Sequence, residues 1–212
     1  MSNIERKIIT RLYQYRKSLQ RLHKIGFVKV FSENLADAVG VSSAQVRQDF
    51  SVFGLSGNKR GGYSVEFLIK ELDERLGKDR PQSVVIIGAG NIGKALMNYK
   101  GFELEGIKVV ALFDTDESKI NHNASIPILP FSEVKEFIQQ KNIQIAIIAV
   151  PDVYAQQVLD EIVKAGIRGV LNFAPIKLNV PSEDFVIKNF DVQLELETVM
   201  YLVNSQNQRN AG

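Results

Sequence analysis

The sequence predicts an α/β protein in which a basic, helical N-terminal domain precedes a doubly wound parallel sheet. From residue 84 onward, apolar runs alternate with amphipathic helical patterns, which is the order of βαβ units. The first run, at 84–87, leads straight into three closely spaced glycines. Residues 1–63 carry 11 Lys or Arg against 4 Asp or Glu, whereas the remainder carries 15 against 20. A basic segment joined to an acidic remainder is typical of a polyanion-binding module on its own domain.

The glycines have the spacing of a dinucleotide-binding loop between a buried strand and a helix. Gly88 allows a tight turn, Gly90 lets a pyrophosphate approach the backbone, and Gly93 lets helix and strand pack closely. Amides at the helix start would bind the phosphates. The second apolar run, at 107–113, ends at Asp114, which is 24 residues after Gly90. This arrangement predicts a Rossmann domain whose phosphate loop consists of Gly88, Ala89, Gly90, Asn91, Ile92 and Gly93.

Asp114 stands where an acidic residue would accept hydrogen bonds from the adenosine ribose and repel a 2′-phosphate. No arginine follows it within the next few residues. The sequence therefore predicts NAD(H) in preference to NADP(H). The alternative is an ordinary glycine turn followed by a loop aspartate, but the glycine spacing, both strands and the acid all agree with a nucleotide site.

The N-terminal segment predicts a helix-turn-helix. Residues 3–25 place one apolar stripe at helical spacing, with an opposite face that carries basic residues. Ser32 is expected to cap a helix over 33–39, and Ser42 and Ser43 one over 44–53, with Gly40 in the turn. The second of these helices offers Ser43, Gln45, Arg47 and Gln48 to base edges and phosphates. A solvated basic face is the alternative. The basic residues of the first helix are Arg6, Arg11, Arg16, Arg21 and Lys24.

A basic, glycine-rich stretch at 54–63 follows, and we interpret it as the wing of a winged helix. In that interpretation Lys59 or Arg60 reaches a minor groove, whereas the alternative is a plain surface loop. An amphipathic helix over 65–76 and a linker at 78–83 complete this part. The expected domains are 1–78 for DNA binding, 83–190 for the nucleotide and 191–204 for a terminal helix.

The remaining pattern extends the parallel sheet. Helices are expected over 91–99 and 153–165, and strands over 143–150 and 169–171, with a last strand at 185–190. Pro127 and Pro130 indicate a loop, after which Ser132 is expected to cap a helix that ends near Lys141. The terminal helix, 191–203, is apolar on most of its surface, which favours burial against a partner subunit. Residues 204–212 are polar and are expected to fray.

The sequence lacks the residues that several classes of catalytic and metal site require. The sequence has no cysteine and only two histidines, His23 and His122, and it shows no Ser-His-Asp set, metal-ligand cluster or Tyr-x-x-x-Lys pair. It has neither an apolar run of about 18 residues nor a signal-peptide core. We therefore expect a cytoplasmic protein with a nucleotide site, no metal and no membrane segment. An NAD-dependent oxidoreductase with an accessory domain and a structural nucleotide-binding dimer stay as alternatives.

Several motifs, taken together and in their order along the chain, indicate a resemblance to a known family over almost the full length. They are 43–51 (SAQVRQDFS), 53–54 (FG), Gly57, 62–63 (GY), 88–93 (GAGNIG), 113–116 (FDTD), 150–151 (VP) and 171–175 (LNFAP). With these motifs the chain resembles the Rex redox-sensing transcriptional repressors of bacteria. The resemblance implies a homodimer with winged-helix domains, Rossmann domains and terminal helices that swap between subunits.

The resemblance also implies a function and a set of contacts. NADH and NAD would compete at one site, and NADH would release the repressor from a palindromic operator. The nicotinamide-side tyrosine of the family falls on Tyr99, and its switch aspartate falls on Asp191. Besides the phosphate loop and Asp114, the implied cofactor contacts are Tyr99, Val150, Pro151, Phe173 and Asp191.

Overall fold

The computed structural model describes residues 3–55 and 61–210. The chain divides into two compact units, the first ending at Arg80 and the second beginning at Pro81. Each unit has its own hydrophobic core, and the predicted α/β fold class is confirmed.

The first unit is mainly helical. A two-stranded antiparallel ladder, with Val30 opposite Tyr63, ties the segment after the first helix to the segment before the last one. Its core is built from the apolar stripes of the helices, including Leu12, Leu35 and Phe50. The elements are α1 (Asn3–Lys24), β1 (Lys29–Val30), α2 (Ser32–Val39), α3 (Ser43–Val52), β2 (Tyr63–Ser64) and α4 (Val65–Arg75).

The caps of α2 and α3 differ from each other. Ser42 caps α3 as predicted, because its hydroxyl accepts a hydrogen bond from the Gln45 backbone at 3.1 Å. The prediction that Ser32 caps α2 is wrong, since Ser32 is itself the first helical residue. The side chain of Asn34 instead accepts from the Phe31 backbone N–H at 2.9 Å.

The second unit is a six-stranded parallel sheet in the order β5-β4-β3-β6-β7-β8, so the predicted doubly wound sheet is confirmed. The chain leaves the central strand β3 first toward one edge and then toward the other, which places a switch point between β3 and β6. The strands are β3 (Gln82–Ile87), β4 (Ile107–Asp114), β5 (Ile128–Pro130), β6 (Ile145–Ile148), β7 (Gly169–Asn172) and β8 (Val186–Asn189). The helices are α5 (Asn91–Met97), α6 (Lys100–Leu104), α7 (Val134–Lys141), α8 (Asp152–Ala165) and α9 (Val192–Asn210).

Three local predictions in this unit are wrong. Pro127 and Pro130 were predicted to indicate a loop, but Ile128–Pro130 forms the strand β5. This strand lies at the edge of the sheet, where a proline is tolerated because no further strand requires a backbone N–H. Ser132 caps no helix, since a short 3₁₀ turn, Phe131–Glu133, precedes α7. The fraying predicted for residues 204–212 is wrong for 204–210, because α9 continues to Asn210, and residues 211 and 212 lie outside the described residues.

No described helix has both the length and the apolar content needed to cross a membrane.

Candidate functional site

The parallel register brings three strand ends to one edge of the sheet. Ile87 at the end of β3 pairs with Phe113 of β4 on one side and with Ile148 of β6 on the other. The residues that follow, Gly88, Asp114 and Ala149, therefore lie side by side at the switch point, where open α/β sheets bind ligands.

The glycine loop packs so closely that two of its positions leave no room for a Cβ atom. Gly88 has a φ of +104°, and a Cβ there would lie 2.4 Å from the carbonyl oxygen of Ala149. A Cβ on Gly93 would lie 1.9 Å from the carbonyl oxygen of Gly88. A Cβ on Gly90 would meet nothing within 4 Å. The backbone at Gly90 is thus open to an approaching group, while Gly88 and Gly93 hold the turn tightly against the sheet.

A cavity of about 580 Å³ lies in front of this loop, within the usual size range of small-molecule sites. Of the predicted cofactor contacts, Gly88, Gly90, Asp114, Val150 and Pro151 line it. Sequence reasoning missed other lining residues, although they follow the same strand ends and could have been found by that signal. Among them are Thr115, Asp116, Lys119, Phe131, Tyr154 and Gln157.

Asp114 is an ionised acceptor at the cavity wall. Its carboxylate accepts from the backbone N–H of Ala89 at 2.7 Å and of Asp116 at 2.9 Å, and Lys119 Nζ lies 3.2 Å away. Burial alone would raise the pKa of Asp114, but these hydrogen bonds and the lysine charge outweigh it and lower the pKa. Although no arginine follows Asp114, Lys119 places a cation beside its carboxylate.

Of the predicted contacts that do not line the cavity, Ala89, Asn91, Ile92 and Gly93 belong to the glycine loop, and three others lie elsewhere in the chain. Tyr99 lies just before α6, is 59% exposed and packs edge-on against Phe102. Phe173 packs edge-on against Phe190. Asp191 caps α9, because its Oδ1 accepts from the Leu194 backbone N–H at 3.1 Å. None of Tyr99, Phe173 and Asp191 is among the residues that line the cavity.

The helix-turn-helix presents polar side chains on α3. Arg47 and Gln48 are exposed, while Ser43 and Gln45 are half-buried. The guanidinium of Arg47 donates to the Ser32 hydroxyl at 2.9 Å. It also lies 3.6 Å from the Glu33 carboxylate. Lys59 and Arg60, the predicted wing residues, lie outside the described residues.

A buried carboxylate anchors the same helix, and sequence reasoning missed it. Asp49 is fully buried and accepts from both ends of the Arg11 guanidinium, at 2.6 and 2.7 Å, as well as from Tyr15 and Gln45. Burial would raise the pKa of Asp49, but these donors lower it. The sequence did contain a signal for this buried carboxylate, because the aspartate occupies a core-facing position of α3, beside Phe50.

The predicted basic face of α1 is therefore wrong at two positions. Arg11 pairs with Asp49, and Arg16, only 6% exposed, pairs with Asp73 of α4. These arginines connect helices within the first unit, because a buried carboxylate needs donors and a guanidinium supplies several. Among the described residues, no group of His, Asp or Glu side chains is arranged to hold a metal ion.

Comparison with known proteins places both units in one family. Residues 3–51 match the family model of a putative DNA-binding protein N-terminus, and residues 79–176 match that of a CoA binding domain. The redox-sensing transcriptional repressor Rex of Desulforamulus reducens is 42% identical, over 91% of this chain and 92% of its own. That of Carboxydothermus hydrogenoformans is 40% identical, over 91% of this chain and 93% of its own.

Solved structures agree with these relatives. The crystal structure of RSP, a Rex-family repressor, is 33% identical, has a TM-score of 0.86 and covers 100% of both chains. The structure of RSP in complex with beta-NAD+ and operator DNA has a TM-score of 0.91, covering 100% of this chain and 96% of its own. The chain belongs to the Rex family of redox-sensing transcriptional repressors.

Proposed function

We propose that this protein is a transcriptional repressor, not an enzyme, whose affinity for operator DNA is set by the NADH/NAD ratio. The observation that carries the proposal is the presence of the open glycine loop and a capped recognition helix on one chain. RSP, its structural neighbour, has been crystallised with beta-NAD+ and operator DNA and with beta-NADH. A repressor acts on the chromosome, which agrees with a cytoplasmic location.

The cofactor lies across the carboxyl ends of the strands in this proposal. The pyrophosphate approaches the backbone at Gly90, where no atom obstructs it. Asp114 faces the adenosine ribose and disfavours a 2′-phosphate. The rest of the loop, with Val150 and Pro151, completes the wall. The loop residues are Gly88, Ala89, Gly90, Asn91, Ile92 and Gly93.

The first unit binds DNA through α3 in the major groove. Its exposed side chains, Arg47 and Gln48, together with Ser43 and Gln45, contact base edges and adjacent phosphates. Lys59 and Arg60 contact the backbone or the minor groove. In this proposal residues 1–78 form the DNA-binding domain and 83–190 form the nucleotide domain, and the terminal helix α9 (Val192–Asn210) follows them.

The terminal helix makes the protein a homodimer. Eight apolar side chains of α9 are each between 49 and 72% exposed in the single chain, so the helix lacks the burial that such a surface requires. Docking on a second subunit, by exchange of the helices, supplies it. The apolar residues are Val192, Leu194, Leu196, Val199, Met200, Tyr201, Leu202 and Val203.

Truncation tests the dimer. Removing residues from 191 onward is expected to give monomers or aggregates and to abolish tight binding to a palindromic operator, because paired half-sites need two recognition helices. Removing only 205–212 is the control and is expected to leave a dimer. Sedimentation and operator titration measure both. A monodisperse dimer of the longer truncation would contradict the proposal.

The switch depends on the nicotinamide ring, which is cationic in NAD and neutral in NADH. A ligand shifts an equilibrium only through its different affinity for two states, so the discriminating contacts must lie at that ring. The family resemblance assigns them to Tyr99 and to Asp191 of the partner subunit; neither residue lines the cavity of its own chain. NADH closes the dimer and moves the two recognition helices out of register with the DNA.

A ratio series tests this function. Operator affinity is measured across NADH/NAD ratios at constant total cofactor and constant salt, and it is expected to fall as NADH rises. By linkage, operator DNA weakens NADH binding by the same factor. Asp191→Asn removes the charge but keeps a good helix cap, so it is expected to blunt the response and leave cofactor-free operator binding intact. A flat curve for the unaltered protein would contradict redox sensing.

A further inference from the structure

Asp49, in the middle of the recognition helix α3, accepts four hydrogen bonds. Its Oδ2 accepts from Arg11 Nε at 2.6 Å and from the Tyr15 hydroxyl at 2.9 Å. Its Oδ1 accepts from Arg11 Nη2 at 2.7 Å and from Gln45 Nε2 at 2.8 Å. Three of these bonds join α3 to α1, across 34 to 38 residues of sequence. The fourth stays within α3 and holds the side chain of Gln45, one turn earlier.

This fourth bond removes an ambiguity in Gln45. The oxygen and nitrogen of a carboxamide have nearly the same shape, so a free glutamine can present either end. An ionised carboxylate accepts and cannot donate, so only the nitrogen of Gln45 can face Asp49. One N–H is thereby used. Within the part of the chain that the structure describes, Gln45 Oε1 and the second amide hydrogen have no hydrogen-bond partner.

The unused pair has the polarity of an adenine contact. Gln45 is the third residue of α3 and is half-buried, and the first residues of a recognition helix are those that meet base edges. An acceptor beside a donor matches adenine in the major groove, which offers the N6 amino group and the N7 acceptor. Guanine offers two acceptors there and cannot satisfy the fixed pair.

We infer that Asp49 is a positioning residue that presets the Gln45 carboxamide to read an adenine in each operator half-site. The inference rests on the proposed DNA-binding function. Asp49 is fully buried and does not touch the DNA. It acts by holding the amide in one orientation before the DNA arrives, which reduces the conformational freedom that binding would otherwise remove.

The first test measures base preference. The probe is a palindromic duplex that this protein selects from random sequences, together with every single base-pair change in one half-site. The unaltered protein is expected to prefer A·T at one position by about 5-fold to 150-fold, the range of a good bidentate contact. Gln45→Ala should lose that preference at that position alone. Duplexes with purine or 7-deaza-adenine there should each weaken binding by the unaltered protein.

The second test removes Asp49 together with its two hydrogen-bond partners on α1. The triple variant Arg11→Met/Tyr15→Phe/Asp49→Leu replaces the polar network with apolar side chains, a change that folded proteins often tolerate. It is expected to lose the A·T preference at the Gln45 position and keep the other preferences. Tyr15→Phe alone is the matched control, since it leaves the bond between Asp49 and Gln45 in place. Adding Gln45→Ala to the triple variant should change that preference no further.

A third measurement needs no variant and applies even if the triple variant does not fold. In the DNA-free protein, nuclear magnetic resonance is expected to show a rigid Gln45 carboxamide with one hydrogen protected from exchange. A freely rotating carboxamide, or an A·T preference that survives loss of Asp49 but not of Gln45, would overturn the positioning role. A G·C preference at that position would overturn the adenine assignment. An unaltered protein without any sequence preference would instead overturn the proposed function.

Discussion

The glycine loop and the recognition helix are both candidate binding elements, but they are held in different ways. In the loop, the groups offered to a ligand belong to the backbone, and close contacts among Gly88, Gly93 and Ala149 set their geometry. On α3, the groups offered are side chains, and the helix is held by Asp49, whose partner Arg11 is 38 residues away in sequence. Apart from the contact with Ala149, the loop therefore follows from a local motif, whereas the helix surface depends on tertiary contacts.

The comparison also separates two kinds of aspartate. Asp114 lies at a cavity wall, and backbone N–H groups within its own unit are its main donors. Asp49 is fully buried and its donors are side chains. Both have a lowered pKa, so the shift alone does not tell a ligand-facing carboxylate from a structural one. Their positions do, because only Asp114 opens onto a cavity.

The largest effect is expected for Gly93→Ala. A Cβ at 1.9 Å from the Gly88 carbonyl oxygen forces the backbone of the loop to move, and such overpacking costs about 1–3 kcal/mol or more. We expect a lower thermal unfolding temperature and no measurable NADH binding. The matched change Gly90→Ala meets no atom within 4 Å and has an ordinary φ of −77°, so it should keep the fold but weaken NADH binding. Equal stability of the two variants would show that the backbone contacts do not hold the loop.

A smaller effect is expected for Arg47→Ala, which removes a side chain and leaves the backbone of α3 unchanged. Operator affinity at fixed salt should fall by about 1–3 kcal/mol, with normal NADH binding and a thermal unfolding temperature lowered only by the loss of the bond to Ser32. Arg47→Lys is the control, since it keeps the charge but loses the planar fork. Loss confined to certain base pairs would indicate a base contact, and uniform loss a phosphate contact. Unchanged affinity would mean that α3 is not the recognition helix.

The smallest effect is expected for the charge balance at Asp114. Asp114→Asn should reduce the preference for NAD(H) over NADP(H), because a neutral amide no longer repels a 2′-phosphate. Lys119→Met should increase that preference, since it removes the cation that lies 3.2 Å from the carboxylate. Calorimetric titration with both cofactors measures each ratio. Shifts in the same direction for the two variants would contradict this account of the site.

The sequence by itself determined the elements whose signal is local. The glycine loop, Asp114 after the second strand and the alternation of strands and helices all depend on neighbouring residues, and the structure places them at one sheet edge. The cap at Ser42 belongs to the same class, because a cap is completed within three residues. The doubly wound parallel sheet was predicted from the alternation of strands and helices, whereas the order of the six strands comes from the structure.

Only the tertiary structure decided which polar side chains face inward. Arg11 and Arg16 were predicted to lie on an exposed basic face, yet each pairs with a carboxylate on another helix. Ile128–Pro130 becomes a strand because β4 offers it an edge, although Pro127 and Pro130 predict a loop. The residues that line the cavity beyond the glycine motif, Lys119 among them, come together from separate strand ends. A charged or polar side chain takes its role from the partner it meets, and a one-dimensional pattern does not contain that partner.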